Sequence, residues 1–236
     1  IGGEPVVRWK LKRGNLTFFF MALYKRIECK EGVVLGVWKI EETLDTLLSL
    51  YPNDKEILQL SESNINNQRL IEKIAVRVLL HTMLPDESIG IAYEQSGKPV
   101  LNNGKYSVSI SHTKGFVAVI IAPVQNSVGI DIEPVSDRTI KVAKRFMGTE
   151  EFLELMDNAD SAVSTICWSA KEALYKVIGS PVADFRQTIR ILPFPLAESG
   201  TLIARILFDA NLQYTMNYLI FDNVVLVWVC TYRTIC

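Results

Sequence analysis

Apolar residues recur with two different periods along this chain of 236 residues, and the changes of period predict its helices and strands. Helical spacing predicts long helices over residues 68–83 and 162–178, and shorter ones over 40–50, 137–148 and 149–156. Alternating or continuous apolar runs predict strands over 33–38, 88–93, 106–110, 116–122, 128–133, 188–192, 202–208, 214–221 and 224–232. The last two strands are predicted to form a hairpin through Asp222 and Asn223.

The order of these elements repeats. A long helix, a strand and a hairpin occur in each half of the chain, which predicts an α+β fold of two similar halves related by a pseudo-twofold axis. We expect each half to be a small antiparallel sheet packed against its long helix, with the active site in the cleft between them. The predicted halves are residues 21–124 and 125–236. Residues 1–20 precede the first methionine, Met21, and we expect them to be an upstream extension that is not native.

Composition narrows the class of protein. With 49% hydrophobic and 22% charged residues, the chain has the composition of a soluble globular protein, and no uncharged apolar run is long enough to span a membrane. A net charge of −1 gives no indication of nucleic-acid binding. The four cysteines are scattered and only two histidines are present, so no zinc-type spacing occurs and we expect a reduced, cytoplasmic protein.

The stretch Val128–Glu133 places two carboxylates side by side. On a strand, Asp131 and Glu133 point to one side while Ile130 and Ile132 point to the other, where they can anchor in a core. Neighbouring carboxylates repel each other unless a cation shares them, so a divalent metal is a candidate partner. The alternative is an edge strand with a solvated polar face, and this stretch alone favours that alternative.

Other candidate residues lie on the two long helices and in a polar turn. Glu172 and Lys176 are four residues apart on the second helix, where an exposed pair stabilises by only about 0.3–0.5 kcal/mol. The first helix carries a basic stripe, Arg69, Lys73 and Arg77, which is either solvated or functional. The turn over residues 111–115 places His112 at an exposed hairpin tip, where it either helps to hold a phosphate or belongs to an ordinary polar turn.

Two stretches taken together are specific. Val-Gly-Ile-Asp-Ile-Glu at 128–133, followed by Trp-Ser-Ala-Lys-Glu-Ala-Leu-Tyr-Lys at 168–176, closely resembles the 4′-phosphopantetheinyl transferase superfamily. Gly-Lys-Pro at 97–99 and Ser-Ile-Ser-His at 109–112 stand where that family has two upstream motifs, although Ser109 replaces a frequent asparagine. The resemblance covers roughly residues 33–232, and the length is similar to that of the surfactin-synthetase-activating type, which has both halves in one chain.

The resemblance implies an activity and a set of site residues. It implies transfer of phosphopantetheine from coenzyme A to a serine of an apo acyl or peptidyl carrier protein, with release of adenosine 3′,5′-bisphosphate. The implied Mg²⁺ ligands are Asp131, Glu133 and Glu172, and the implied catalytic residues are Glu172 and Lys176. Coenzyme A would contact Arg69, Lys73, Lys98, Ser111, His112 and Lys176. The base is Glu172 or a metal-bound water acting through it, and the two remain open.

The resemblance also implies which molecules the protein binds. We expect a monomer that binds coenzyme A and a carrier protein, but neither nucleic acid nor membrane. Residues 138–152 mix basic and apolar side chains, which suggests that they dock the acidic helix of the carrier. Trp168 is expected to pack the second long helix against its sheet. Two alternatives stay open: a non-catalytic binding module with this fold, and a metal-dependent phosphohydrolase that uses the same carboxylates.

Overall fold

Two antiparallel sheets and two long helices make up most of the molecule. The computed structural model describes residues 23–50, 55–62, 66–84, 89–157, 160–179, 184–209 and 212–232. The strands are β1 (Leu23–Glu28), β2 (Val34–Lys39), β3 (Ile91–Tyr93), β4 (Pro99–Leu101), β5 (Tyr106–Thr113), β6 (Phe116–Pro123), β7 (Asn126–Pro134), β8 (Ile189–Ile191), β9 (Ser199–Ile206), β10 (Gln213–Phe221) and β11 (Val224–Tyr232). The helices are α1 (Leu44–Leu50), α2 (Lys55–Ser61), α3 (Asn67–Met83), α4 (Asp137–Val142), α5 (Thr149–Leu155), α6 (Ser161–Ile178) and α7 (Phe185–Thr188).

Each sheet belongs to one half of the chain. The first has the strand order β1-β2-β6-β5 and the second has the order β7-β11-β10-β9-β8, while β3 and β4 form a separate pair. β6 and β7 are consecutive and are joined through a turn at Val124 and Gln125, so one short connection links the two sheets. The sequence therefore predicted the α+β class and the two-sheet organisation correctly, and the twofold relation between the halves stays a prediction.

Alternation along the strands builds three apolar clusters. Val117, Val119 and Ile121 of β6 pack with α3, and Val225, Val227 and Val229 of β11 pack with α6. The opposite faces of both sheets share the third cluster, which includes Ile120, Ile130, Ile132, Leu226 and Trp228. Because strand side chains point alternately to the two faces, each sheet has one face against a helix and the other against the neighbouring sheet.

The ends of the long helices are set by local chemistry. The Asn66 side chain accepts a hydrogen bond from the Gln68 N–H, and the Asp160 side chain accepts from the N–H groups of Ala162 and Val163. α6 ends at Gly179, as its sequence predicts, with a φ of 73° that favours glycine. α4 is capped by the Ser136 hydroxyl, which accepts a hydrogen bond from the Arg138 N–H.

Several predicted boundaries differ from the structure. The helix predicted from residue 40 begins at Leu44, and the strand predicted over 202–208 runs instead over Ser199–Ile206. β5 extends to Thr113, so His112 lies within a strand rather than at a hairpin tip. Strands β1 and β4 and helices α2 and α7 were not predicted. The proposed extension, residues 1–20, lies outside the described residues.

Candidate active site between the two sheets

Strand β7 carries the acidic pair into the interior. Ile130 and Ile132 are fully buried among apolar side chains of both sheets, as their alternation predicts. Asp131 is only 5% exposed, which excludes the solvated strand face as an interpretation of this stretch. Gly129 lies under α6, where a Cβ would come within 2.0 Å of the Ala173 carbonyl oxygen. The close approach of α6 to β7 therefore depends on a glycine at this position.

Lys176 is the cation that contacts Asp131. Its Nζ donates to Asp131 Oδ1 at 3.0 Å and to the Ile130 carbonyl at 2.7 Å. Ser111 Oγ donates to the same carboxylate oxygen at 2.8 Å. Asp131 Oδ2 is also buried, and no residue in the described part of the chain donates a hydrogen bond to it. One oxygen of this carboxylate is therefore satisfied by protein groups, and the other keeps its full capacity to accept.

Two further carboxylates share the electrostatic environment of Asp131. Burial, and next the negative charge of Asp131, raises the pKa of Glu133, while a hydrogen bond from Trp168 acts in the opposite direction. Burial and the charge of Asp131 also raise the pKa of Glu172, and Lys176 opposes that rise. Each rise means that the carboxylate form lacks compensating positive charge. A divalent cation would supply that charge.

The donor set suits a hard cation, although the side chains do not enclose one as they stand. Within the described ranges, no three acidic, histidine or cysteine side chains are arranged closely enough to hold a metal. Carboxylate oxygens are nevertheless the ligands that Mg²⁺ prefers, and Asp131 Oδ2 is buried with no donor among the described residues. The chemistry of the residues present therefore fits Mg²⁺.

A cavity of about 890 Å³ lies beside Glu133 and Glu172. Helix α6 contributes Trp168 and Tyr175 to its wall, and Trp168 packs edge-on against Phe146 and Phe185. Trp168 therefore has a packing role, as expected: it contacts these two aromatic rings beside the cavity and packs against the apolar core of the second half. The wall also carries Arg138 and Arg145, which belong to the segment predicted to dock a carrier, and Arg186, which was not predicted. The cavity therefore combines aromatic surface with the positive charge of Arg138 and Arg145, while Arg186 is paired with Asp184 of the same wall.

Two serine hydroxyls of β5 bind the backbone of β7. Ser109 Oγ accepts from the Ile130 N–H at 3.2 Å, and Ser111 Oγ accepts from the Ile132 N–H at 3.3 Å. These hydrogen bonds provide acceptors for backbone N–H groups on the edge of β7 that does not pair with β11. Ser109 stands where the family named above often has asparagine. Its structural role here is to accept the hydrogen bond from the Ile130 N–H. Ser111 fixes both the backbone and the carboxylate of Asp131.

His112 is half exposed and contacts helix α3. Its Nδ1 lies 3.2 Å from Glu72 Oε2, and Glu72 Oε1 accepts a hydrogen bond from Gln68 Nε2 at 3.1 Å. Glu72 was not predicted as a site residue, although its position between Arg69 and Lys73 on one helix was visible in the sequence.

The basic residues proposed for phosphate binding lie farther apart than the residues that contact Asp131. Arg69 is exposed in the first turn of α3, and Lys73 is partly buried one turn later. Arg77 is a buried residue that donates to Glu56 and to the Lys73 carbonyl, so the third member of the basic stripe is structural. Lys98 lies in an exposed turn before β4. The structure brings Asp131, Ser111 and Lys176 into direct contact, but it does not bring Lys98 or Arg69 into that cluster.

Comparison with known sequences identifies the segment that contains this cluster. Residues 127–227 match the sequence profile of the 4′-phosphopantetheinyl transferase superfamily. This segment is similar in sequence to members of that superfamily. The resemblance recognised from the motifs at 128–133 and 168–176 is thereby confirmed.

Two curated relatives share this family name. The chain is 32% identical over 122 residues to the 4′-phosphopantetheinyl transferase psf-1 of Bacillus pumilus, covering 48% of this chain and 51% of the relative. It is 34% identical over 113 residues to the 4′-phosphopantetheinyl transferase gsp of Aneurinibacillus migulanus, covering 47% and 45% of the two chains. The chain spans about half the length of the curated relatives it matches.

The superfamily segment includes the carboxylates and the contacting lysine but not all of the site. Asp131, Glu133, Glu172 and Lys176 lie inside residues 127–227, whereas Ser111 and His112 come from the preceding half. Within the described residues, no helix is both long and apolar enough to cross a membrane.

Proposed function

We propose that this protein transfers phosphopantetheine from coenzyme A to a serine hydroxyl of an apo acyl or peptidyl carrier protein and releases adenosine 3′,5′-bisphosphate. The observation that supports this most directly is the contact of Lys176 with Asp131, beside Glu133 and Glu172, within the superfamily segment. Phosphoryl transfer needs positive charge and fixed geometry around the phosphates, and this cluster offers both.

In this proposal Asp131, Glu133 and Glu172 hold Mg²⁺. The raised pKa values of Glu133 and Glu172, together with the buried Asp131 Oδ2, support this ligand set. When bound, the metal would offset negative charge on the pyrophosphate of coenzyme A. Ser111 keeps Asp131 in place through its hydrogen bond, and Lys176 adds a positive charge at the same carboxylate.

Glu172 is our candidate for the base that accepts the proton of the attacking serine. It lines the cavity through which a substrate serine could approach, and a metal-bound water acting through it is the alternative base. Phosphates of coenzyme A would be bound by His112, Lys98, Arg69 and Lys73, and also by Lys176. Arg69 and Lys98 would then have to act from the periphery of the cluster, because both are exposed.

Mass spectrometry tests the activity directly. Incubation with Mg²⁺, coenzyme A and an apo carrier should add the mass of phosphopantetheine to the carrier. Asp131→Ala and Glu172→Ala should abolish the transfer, because each removes a proposed metal ligand. Asp157→Ala, which removes an exposed carboxylate away from the cavity, is the matched control and should retain activity. Full activity of both site variants would contradict the proposed metal site.

The same experiment distinguishes the alternatives. Coenzyme A that is consumed without any carrier would indicate a phosphohydrolase, and binding without turnover would indicate a binding module. A panel of apo carriers from fatty-acid, polyketide and peptide synthesis would identify the preferred partner. The cytoplasmic location and the monomeric state remain predictions from the sequence and from the family resemblance, respectively.

The carrier is proposed to dock beside the cavity. Lys141 and Lys144 are exposed on the segment that follows β7, and Arg138 and Arg145 of that segment line the cavity. An acidic helix of a carrier protein would complement this charge. Charge reversal at Lys141 and Lys144 should weaken carrier binding, measured by calorimetry, but not coenzyme A binding. Unchanged affinity for the carrier would exclude this docking surface.

A further inference from the structure

Glu72 stands out because it places negative charge on the helix face that carries Arg69 and Lys73. Its side chain is only 13% exposed, and it contacts the His112 ring through Nδ1 at 3.2 Å. A hydrogen bond from Gln68 Nε2 to Glu72 Oε1 fixes the carboxylate from the preceding turn of α3. Both oxygens of Glu72 are therefore in contact with a neighbouring side chain, and one of these neighbours is the His112 ring.

The contact limits how His112 can use its two nitrogens. A carboxylate only accepts hydrogen bonds, so a hydrogen bond in this pair requires the hydrogen on Nδ1. The ring is half exposed, and this leaves Nε2 as the nitrogen that can reach a ligand. When a phosphate oxygen accepts from Nε2 as well, the ring donates at both ends and carries a positive charge.

We propose that Glu72 is a positioning residue that orients His112 so that Nε2 donates to a phosphate of coenzyme A. The identity of the ligand rests on the proposed function, whereas the orientation of the ring rests on the contact itself. The bond joins α3 to β5, which both carry residues proposed for phosphate binding. In this proposal Glu72 holds the His112 ring in one orientation, whereas a half-exposed ring without this contact could rotate.

The sign of the effect separates this role from simple electrostatics. If Glu72 acts only as a negative charge, its removal should strengthen binding of an anionic ligand. If it orients His112, its removal should weaken that binding, because the ring loses its fixed geometry. For Glu72→Ala we expect coenzyme A to bind about tenfold more weakly, which is within the range for the loss of one typical hydrogen bond.

Calorimetry with coenzyme A, without a carrier, measures this effect on folded variants. His112→Ala should weaken binding, and the double variant Glu72→Ala/His112→Ala should bind no more weakly than His112→Ala alone. Glu72→Gln keeps a side-chain oxygen for Nδ1 and should recover most of the affinity. Glu62→Ala, which removes an exposed glutamate just beyond α2, is the matched charge control and should bind normally.

Two further measurements show whether the ring itself responds. In ¹⁵N NMR spectra, His112 of the wild type should show a protonated Nδ1, and Glu72→Ala should show a changed distribution of the hydrogen between the two nitrogens. In the transfer assay, Glu72→Ala should raise KM for coenzyme A and leave kcat nearly unchanged. A variant that merely folded poorly would not produce this combination.

The outcomes of the two proposals differ. Wild-type protein that binds coenzyme A but modifies no carrier would refute the proposed transfer, while the coupling of Glu72 to His112 could still be measured. Tighter binding by Glu72→Ala, or additive losses in the double variant, would overturn the positioning role whatever the carrier assay shows.

Discussion

The fit of α6 against β7 at Gly129 should control both stability and activity. In Gly129→Ala the new Cβ would lie 2.0 Å from the Ala173 carbonyl oxygen and 2.9 Å from Val177 Cγ2. Contacts below 3.0 Å are essentially never seen and ordinary contacts start near 3.4 Å, so the helix must retreat by 1.0 to 1.4 Å (3.0 − 2.0 and 3.4 − 2.0). A backbone carbonyl cannot rotate away as a flexible side chain can.

The retreat has two measurable consequences. Overpacking costs about 1–3 kcal/mol, and for a chain of this size that lowers Tm by roughly 2 to 12 °C in a thermal melt. Glu172 and Lys176 move with the helix while Asp131 stays on the strand. Since a misplacement of about 1 Å can cost about 100-fold in rate, we expect kcat/KM of the transfer reaction to fall by about that factor.

Gly148→Ala is the matched control. A Cβ there also meets a backbone carbonyl oxygen, that of Arg186, but at 3.3 Å, which requires an adjustment of only tenths of an ångström. This variant should melt close to the wild type and keep its activity. A Gly129→Ala protein with wild-type Tm and wild-type kcat/KM would refute the argument that this contact sets the distance between α6 and β7.

Three further outcomes follow from buried or paired groups elsewhere in the molecule. Lys171→Met should destabilise the fold by about 3–5 kcal/mol in denaturant titration, because it leaves the buried Glu151 carboxylate without its partner at 2.7 Å; a loss below 1 kcal/mol would contradict this. Hydrogen bonds from Tyr24 and Lys39 lower the pKa of Asp222, so the stability they provide is present above the ordinary aspartate pKa and is lost as pH falls through the lowered value. The stability difference between wild type and Asp222→Asn should therefore shrink at acidic pH. A difference that does not change with pH would contradict this stabilising role of the Asp222 carboxylate. Burial raises the pKa of the Cys167 thiol far above its usual range, so peptide mapping should find it alkylated by iodoacetamide only in denaturant; rapid labelling of folded protein would contradict its burial.

Periodicity identified the elements that have long apolar patterns. The two long helices and strands β6, β7 and β11 were predicted within a few residues, because each contributes one continuous face to a core. The turn at Asp222 and Asn223 was also predicted correctly, and both residues have the positive φ that such a hairpin turn requires. These features are local, so a single sequence can show them.

The errors fall where pairing with another element outweighs the local pattern, or where charged residues hide that pattern. β5 extends through Ser111 and His112 although both are polar, because their backbones continue the ladder with β6 opposite Ala118 and Val117. β1 carries Lys25 and Arg26 within a strand that pairs with β2, and its charged residues hide the alternation. The Glu72 contact joins residues forty positions apart (112 − 72 = 40), and no periodic pattern predicts it.

The candidate site was predicted from motifs rather than from geometry. The carboxylate pair at Asp131 and Glu133 looks solvated until the residues of α6 are placed beside it. The contact between Asp131 and Lys176 is consistent with the arrangement that the family resemblance implies. The metal ligands and the phosphate contacts remain predictions.

The turn at Val124 and Gln125 also offers a way to turn this protein into a sensor. Val124 is 52% exposed, and a backbone cut after it would leave the first sheet and α3 on one fragment and the second sheet and α6 on the other. Ser111 and His112 would then be on a different fragment from Asp131 and Glu172. Neither fragment would hold the complete set of residues proposed for metal and coenzyme A binding, and attaching the fragments to two interacting proteins should make carrier labelling report on that interaction.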